Sequence, residues 1–344
     1  MVSIAPHSEN VSVARSDTSN YNGIDLIKFL CAFMVFIIHI PPFQGEVSAL
    51  AGYVNFGLQH YLCRLAVPFY FVSSGFFLFK KMPLYDLNTE AIKQYCFKIL
   101  RLKGIWHVLL FVGGTGHLWY LGATVIAVTL LSICFYFRIR FRYICVLACL
   151  LYLVGLLGES YYGVIAPLAN FAVFKYIFKG YDFAFSTTRN GVFMGFVFVL
   201  MGAGFSCYKI KLKPCTALMG LVISVLCLFA EVFLLKYNDI PIQYNMYVFL
   251  LPATFFLFSF AYTVQLKDHV IYKHLRNVGA LIYFTHMLVN AFVSLAIGVI
   301  DKYLDIGLIQ WQFLLSLLFT LVFAICIEWL SCREKFKWIN LALS

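Results

Sequence analysis

The chain has 344 residues, of which 62% are hydrophobic and only 12% charged, with a mean hydropathy of +0.88. That balance excludes a soluble globular enzyme or a disordered chain and specifies a polytopic membrane protein. The formal net charge of +11 suggests a nucleic-acid ligand only until its distribution is examined: the cations fall between apolar segments rather than in one basic face.

Ten apolar segments are expected to span the bilayer as helices, at 24–43, 61–79, 95–112, 117–137, 141–157, 190–207, 214–235, 245–265, 277–300 and 309–331. The fold class is therefore all-α, a polytopic bundle of about ten transmembrane helices. Residues 1–20 are polar and Ser-rich and predict a disordered cytoplasmic lead, residues 21–333 form the transmembrane domain, and residues 334–344 form a cytoplasmic tail. Alternate connections hold eighteen cations (Lys80, Lys81, Lys93, Lys98, Arg101 and Lys103; Arg138, Arg140 and Arg142; Lys209, Lys211 and Lys213; Lys267, Lys273 and Arg276; Arg333, Lys335 and Lys337), whereas the others hold five. This alternation is the positive-inside pattern and predicts both termini in the cytoplasm.

The first segment, IDLIKFLCAFMVFIIHIPPF, carries Lys28 and His39. Ionisable groups inside a bilayer are costly and mark a site or pathway. Eleven helical steps return the chain to within roughly 20° of the same face and advance it roughly 16 Å. The two side chains are thus placed to hold the two ends of one elongated ligand. Asp25, one turn before Lys28, is expected to position that lysine.

The second segment contains Arg64, near its outer end, and the run Ser73-Ser74-Gly75, where Ser74 could donate to a reacting carbonyl and small residues also let helices approach closely. The third carries Lys98 and Arg101. The fourth opens with His117, Trp119 and Tyr120; an interfacial anchor explains the last two but not the histidine. The aromatic stretch 158–189 is expected to lie on the membrane surface or over a cavity, and Arg189 and Asn190 follow it. His286 lies about ten residues into the ninth segment, one turn after Tyr283, where an interhelical hydrogen bond explains it as well as chemistry does. Glu231 and Glu328 are intramembrane carboxylates that could orient His39. The eleven cysteines lie mostly within apolar spans and lack a CxxC pair, so neither a disulfide nor a cysteine metal site is expected.

Taken together, six patches resemble the membrane acyltransferase 3 family in order: NGIDLIKFLCAFMVFIIH, RLAVPFYFVSSGF, FKILRLKGIW, HLWYL, TRNG and IYFTH. The family includes O-acetylases of O-antigens, exopolysaccharides and peptidoglycan, and the membrane part of serine racemases. The resemblance implies His39 as the catalytic residue, either a base for an acceptor hydroxyl or a nucleophile towards a thioester. It implies acetyl-CoA, or another acyl-CoA, as a donor substrate rather than a permanently bound cofactor, with Lys28, Lys98 and Arg101 on its phosphates. Lysine stands at two positions where the family commonly has arginine, which keeps the charge and removes the bidentate grip. His117 and Asn190 are candidates for holding the acceptor. The implied partners are a carbohydrate or lipid-linked glycan and the bilayer of a bacterial inner membrane, with no nucleic acid. A transporter or exporter of glycan precursors, using Lys28 and His39 as a proton-coupling pair, is the alternative.

Overall fold

The computed structural model describes residues 21–334 except 46–47, 81, 83–84, 112–113, 305–306 and several positions between 172 and 186. The expected N-terminal lead and nearly all of the tail lie outside the described residues. All regular structure among those described is helical.

α1 runs Asn22–His39 and stops there because Pro41 and Pro42 cannot continue it, so the expected segment 24–43 is cut short with His39 as its last helical residue. Next come α2 (Ala49–His60) and α3 (Ala66–Phe79), separated by a 3-10 turn at Leu62–Leu65 that contains Arg64. The break has a local cause: Pro68 has no N–H to return to the carbonyl of Arg64 four residues earlier. α4 (Thr89–Leu109) is capped by Asn88. α5 (Trp119–Tyr136) and α6 (Phe141–Leu157) follow. α7 (Phe196–Cys207) is entered through a π-helical turn, Gly191–Gly195. α8 (Pro214–Tyr237), α9 (Leu250–Thr263), α10 (Ile271–Leu304) and α11 (Gln312–Ser331) complete the bundle.

Among the described residues, six helical stretches are long and apolar enough to cross a membrane: 22–39, 49–79, 116–136, 214–237, 271–303 and 308–331. A seventh is added if α6 and the following turn, bent by 82°, form one span. The expected count of about ten is therefore not carried by length and composition. α4 fails because Glu90, Lys93, Lys98, Arg101 and Lys103 interrupt its apolar run, while the helices ending at Cys207 and Thr263 are too short. These elements still pack into the bundle.

α1 lies against α10, α3 against α7, α8 against α9, and α10 against α11. The α3–α7 contact is made backbone to backbone. A Cβ on Gly75 would come 2.2 Å from the Val199 carbonyl oxygen, and one on Gly202 would come 2.0 Å from that of Val72. Small residues permit this approach, so Gly75 acts in packing. The buried core runs through the centre as Phe69, Phe71, Phe76, Phe198, Phe205 and Phe258. All eleven cysteines are unpaired.

Candidate active site

Two cavities follow one face of α1. The first, about 230 Å³, lies at the Lys28 end and is lined by Lys28, Tyr70, Ser74, Tyr120, Arg276 and Tyr283, with Gly279 and Phe284. The second, about 40 Å³, lies at the His39 end between Arg64, His117, Trp119, Arg189, Asn245 and Tyr283. Tyr283 lines both and forms the wall between them. Lys28 and His39 lie on one unbroken helix, and each lines its own cavity.

At the Lys28 end the polar groups are largely partnered. Tyr70 donates its hydroxyl to the Lys28 carbonyl at 2.7 Å, and Ser74 and Tyr120 exchange a hydroxyl–hydroxyl hydrogen bond at 3.1 Å. The Lys28 ammonium sits 4.5 Å from the centre of the Phe77 ring. Asp25 pairs with Arg276 at 3.4 Å, so it holds a cation from α10 at the mouth of the cavity beside Lys28. Lys98 is exposed on α4 and lines a separate hollow of about 570 Å³, whose lining includes Phe77. Arg101 is exposed one turn further on; its neighbour Leu102, not Arg101 itself, lines the first cavity. Two of the three expected donor cations therefore stand apart from Lys28, and Arg276 stands with it.

The His39 end is built differently. Three histidines from α1, α10 and the turn before α5 converge, with ring centres 5.3 Å apart for His39–His286, 4.9 Å for His117–His286 and 6.2 Å for His39–His117. His39 is exposed, while His117 and His286 are buried. His286 Nδ1 lies 3.0 Å and 2.9 Å from the carbonyl oxygens of Ile282 and Tyr283. Two acceptors require a donor, so Nδ1 carries hydrogen and a neutral His286 presents the lone pair of Nε2. That Nε2, and both ring nitrogens of His117, are buried without a hydrogen-bond partner. Tyr283 donates to the His117 carbonyl at 2.7 Å and fixes this corner.

Arg64 is held by Asn245 Oδ1 and by His60 Nδ1, the latter at 3.0 Å. Asn245 passes the contact to Glu159, whose second carboxylate oxygen accepts from Thr188 at 3.0 Å. Arg189 lies over the Trp119 ring, 5.1 Å from its centre. Asn190 is fully engaged locally: its side-chain oxygen caps the π turn at Val192 and Phe193, and its amide donates to Thr187. It is absent from the cavity lining, whereas Arg189 before it is present.

Neither Glu231 nor Glu328 approaches His39. Glu231 accepts from Tyr161 and from the Val248 and Phe249 amides, and so secures the entry to α9. Glu328 pairs with His274 at 2.6 Å, and these two with Cys332 form the one group of metal-ligand composition among the described residues. It lines neither cavity. Arg276, Arg189, Asn245 and Glu159 were not singled out as site residues by the sequence. Arg276 carried a usable signal, since it precedes Tyr283 by seven residues, two helical turns on one face. Glu159 and Asn245 are joined only by the tertiary fold.

The sequence model of the acyltransferase domain family matches residues 21–106, the stretch from α1 into α4 that holds Lys28, His39, Arg64, Ser74, Lys98 and Arg101. Two proteins from Enterococcus faecalis, each named amino-acid racemase, are 29% identical over 70% and 83% of this chain, and over 35% and 42% of their own lengths. A serine/alanine racemase from Enterococcus gallinarum is 26% identical over 92% of the chain and 47% of its own length. The chain thus spans less than half the length of these curated relatives. No solved structure matches. The matched stretch carries the Lys28-to-His39 helix, and over that stretch the chain is similar to the acyltransferase domain family.

Proposed function

We propose that this membrane acyltransferase is an O-acetyltransferase that takes a short acyl group from cytoplasmic acyl-CoA and places it on a hydroxyl of a cell-envelope glycan or its lipid-linked precursor. The observation that carries this reading is the pair of cavities on one face of α1, Lys28 in one and His39 in the other, meeting at Tyr283. Lys28 and Arg276 are suited to the donor phosphates at the wide end. The roughly 16 Å between Lys28 and His39 along the helix is comparable to a pantetheine arm. Lys98 and Arg101 on α4 add positive charge on the approach. The alternating cations support ten membrane-associated helices, with both termini and the Lys28 end at the cytoplasmic face of a bacterial inner membrane.

In the transfer step His39 accepts the proton of the acceptor hydroxyl as its oxygen bonds to the thioester carbonyl carbon. The carbon–sulfur bond then breaks and the coenzyme A thiolate takes up that proton. Covalent acylation of His39 followed by transfer gives the same balance. His286 offers an acceptor nitrogen beside His39 that can hold the imidazole in place.

A transport reading is favoured by one feature, the alignment of two cavities separated at a single shared side chain. Labelled acetyl-CoA separates the two. Purified protein in lipid nanodiscs releases coenzyme A and loses acetyl label to an envelope glycan fraction only when His39 is present, if the acyltransferase reading holds. Movement of glycan precursors across vesicles without release of coenzyme A would establish the rival.

A further inference from the structure

We infer that the His39-end cavity is an oxyanion site: Arg64 and Arg189 bind a phosphate or carboxylate carried by the acceptor, close to the hydroxyl that is acylated. The inference rests on the acyltransferase reading for its role and on the cavity itself for the binding.

A charge held away from water without a partner is costly. Here two half-buried arginines line one small cavity. They repel each other, and the carboxylate that attracts both is Glu159. Both oxygens of Glu159 are already hydrogen-bonded, to Asn245 and Thr188, and no salt bridge joins it to either arginine among the described residues. The charge near the cavity therefore stands at two cations to one carboxylate. The Nε atoms of both Arg64 and Arg189 are buried with no hydrogen-bond partner.

The arginines are also anchored. His60 and Asn245 fix Arg64 from behind, and the Trp119 ring supports Arg189. Planar forks held this way suit an anion with two or three oxygens. At the Lys28 end the cations already have partners: Arg276 has Asp25, and the Lys28 ammonium has the Phe77 ring. His39 lies within electrostatic range of both guanidiniums. An acceptor gripped by its anion thus presents a neighbouring hydroxyl to the imidazole, and a neutral sugar does not use the site.

The test uses the full chain in nanodiscs and three small probes: glycerol 3-phosphate, D-glycerate and glycerol. Without any donor, thermal melting reads binding. One or both anionic probes raise the melting temperature and glycerol does not, and the comparison of the two anions separates phosphate from carboxylate. Arg64→Gln and Arg189→Gln weaken the apparent affinity for the effective anion at least tenfold, and Arg189→Lys retains part of it. Equal stabilisation by glycerol, or no loss in either glutamine variant, overturns the inference. The wild-type comparison of charged and neutral probes stands even where a variant fails to fold. With acetyl-CoA added, the effective anion stimulates coenzyme A release. Binding without that release leaves the oxyanion site intact and overturns the transferase reading instead.

Discussion

The two ends of the α1 face are furnished in opposite ways. At the Lys28 end the hollow is wide and its polar groups are mostly partnered within the protein, by Asp25 to Arg276, Tyr70 to the Lys28 carbonyl, and Ser74 to Tyr120. At the His39 end the space is small and the protein leaves its own donors and acceptors unmet. Of eight buried side-chain polar atoms without a partner among the described residues, five belong to Arg64, Arg189, His117 and His286. Natural proteins rarely tolerate such atoms without use. On the proposed function, the wide end takes a long flexible donor by shape and point charge, and the narrow end takes the reacting group by directed hydrogen bonds.

The sharpest break of this contrast is His39→Ala. A positioned general base contributes about 10²–10⁴-fold, so acetyl transfer falls by that order while acetyl-CoA binding, measured by equilibrium dialysis, stays within about twofold. A loss of donor affinity as large as the loss of rate would place His39 in the donor site and erase the distinction between the ends.

Lys28→Ala probes the other end. With acetyl-CoA as donor the KM rises roughly tenfold, about 1.4 kcal/mol, as expected for a lost charge-assisted phosphate contact. Acetyl-pantetheine, which lacks the phosphates Lys28 would grip, is used equally by variant and wild type. If Lys28→Ala instead lowers kcat with KM unchanged, Lys28 does not hold the donor.

His286→Gln tests whether the narrow end acts as a unit. The glutamine amide can donate to the carbonyls of Ile282 and Tyr283 yet presents no ring nitrogen to His39. A fall in kcat of roughly tenfold, with a displaced pH–rate profile, marks a positioning role. His286→Leu serves as its companion: a purely structural histidine makes leucine the more damaging change in melting temperature and leaves the profile of the glutamine variant unmoved.

How much of this was legible in the sequence follows from where each signal resides. Lys28 and His39 could be placed on one face because helical periodicity is local and α1 is unbroken over that length. The all-helical membrane class was equally plain, since composition alone carries it. The number of crossing helices was not: α4 shows both an apolar stretch and a row of cations, and which dominates depends on what the bundle covers. Arg276 lay in the open but was absorbed into the charge pattern of a connection. Its partnership with Asp25, 251 residues earlier, exists only in three dimensions. The same holds for the Arg64–Asn245–Glu159 chain, whose members come from separate parts of the sequence with no shared period.

Asn190 gives the smallest and most discriminating effect. Its position beside Arg189 made it a candidate for the acceptor, yet its side chain caps a π turn and faces backbone on all its contacts. Replacing a capping asparagine by alanine costs about 0.5–2 kcal/mol of stability. Asn190→Ala therefore lowers the melting temperature modestly, while the KM for the acceptor moves less than it does in Arg189→Gln. The two neighbours thereby separate fold from function across one peptide bond. An acceptor KM that rises as far in Asn190→Ala as in Arg189→Gln, with the melting temperature unchanged, would move the boundary of the site to include the cap. The unmet donors of Arg189 would then be only part of what the acceptor uses.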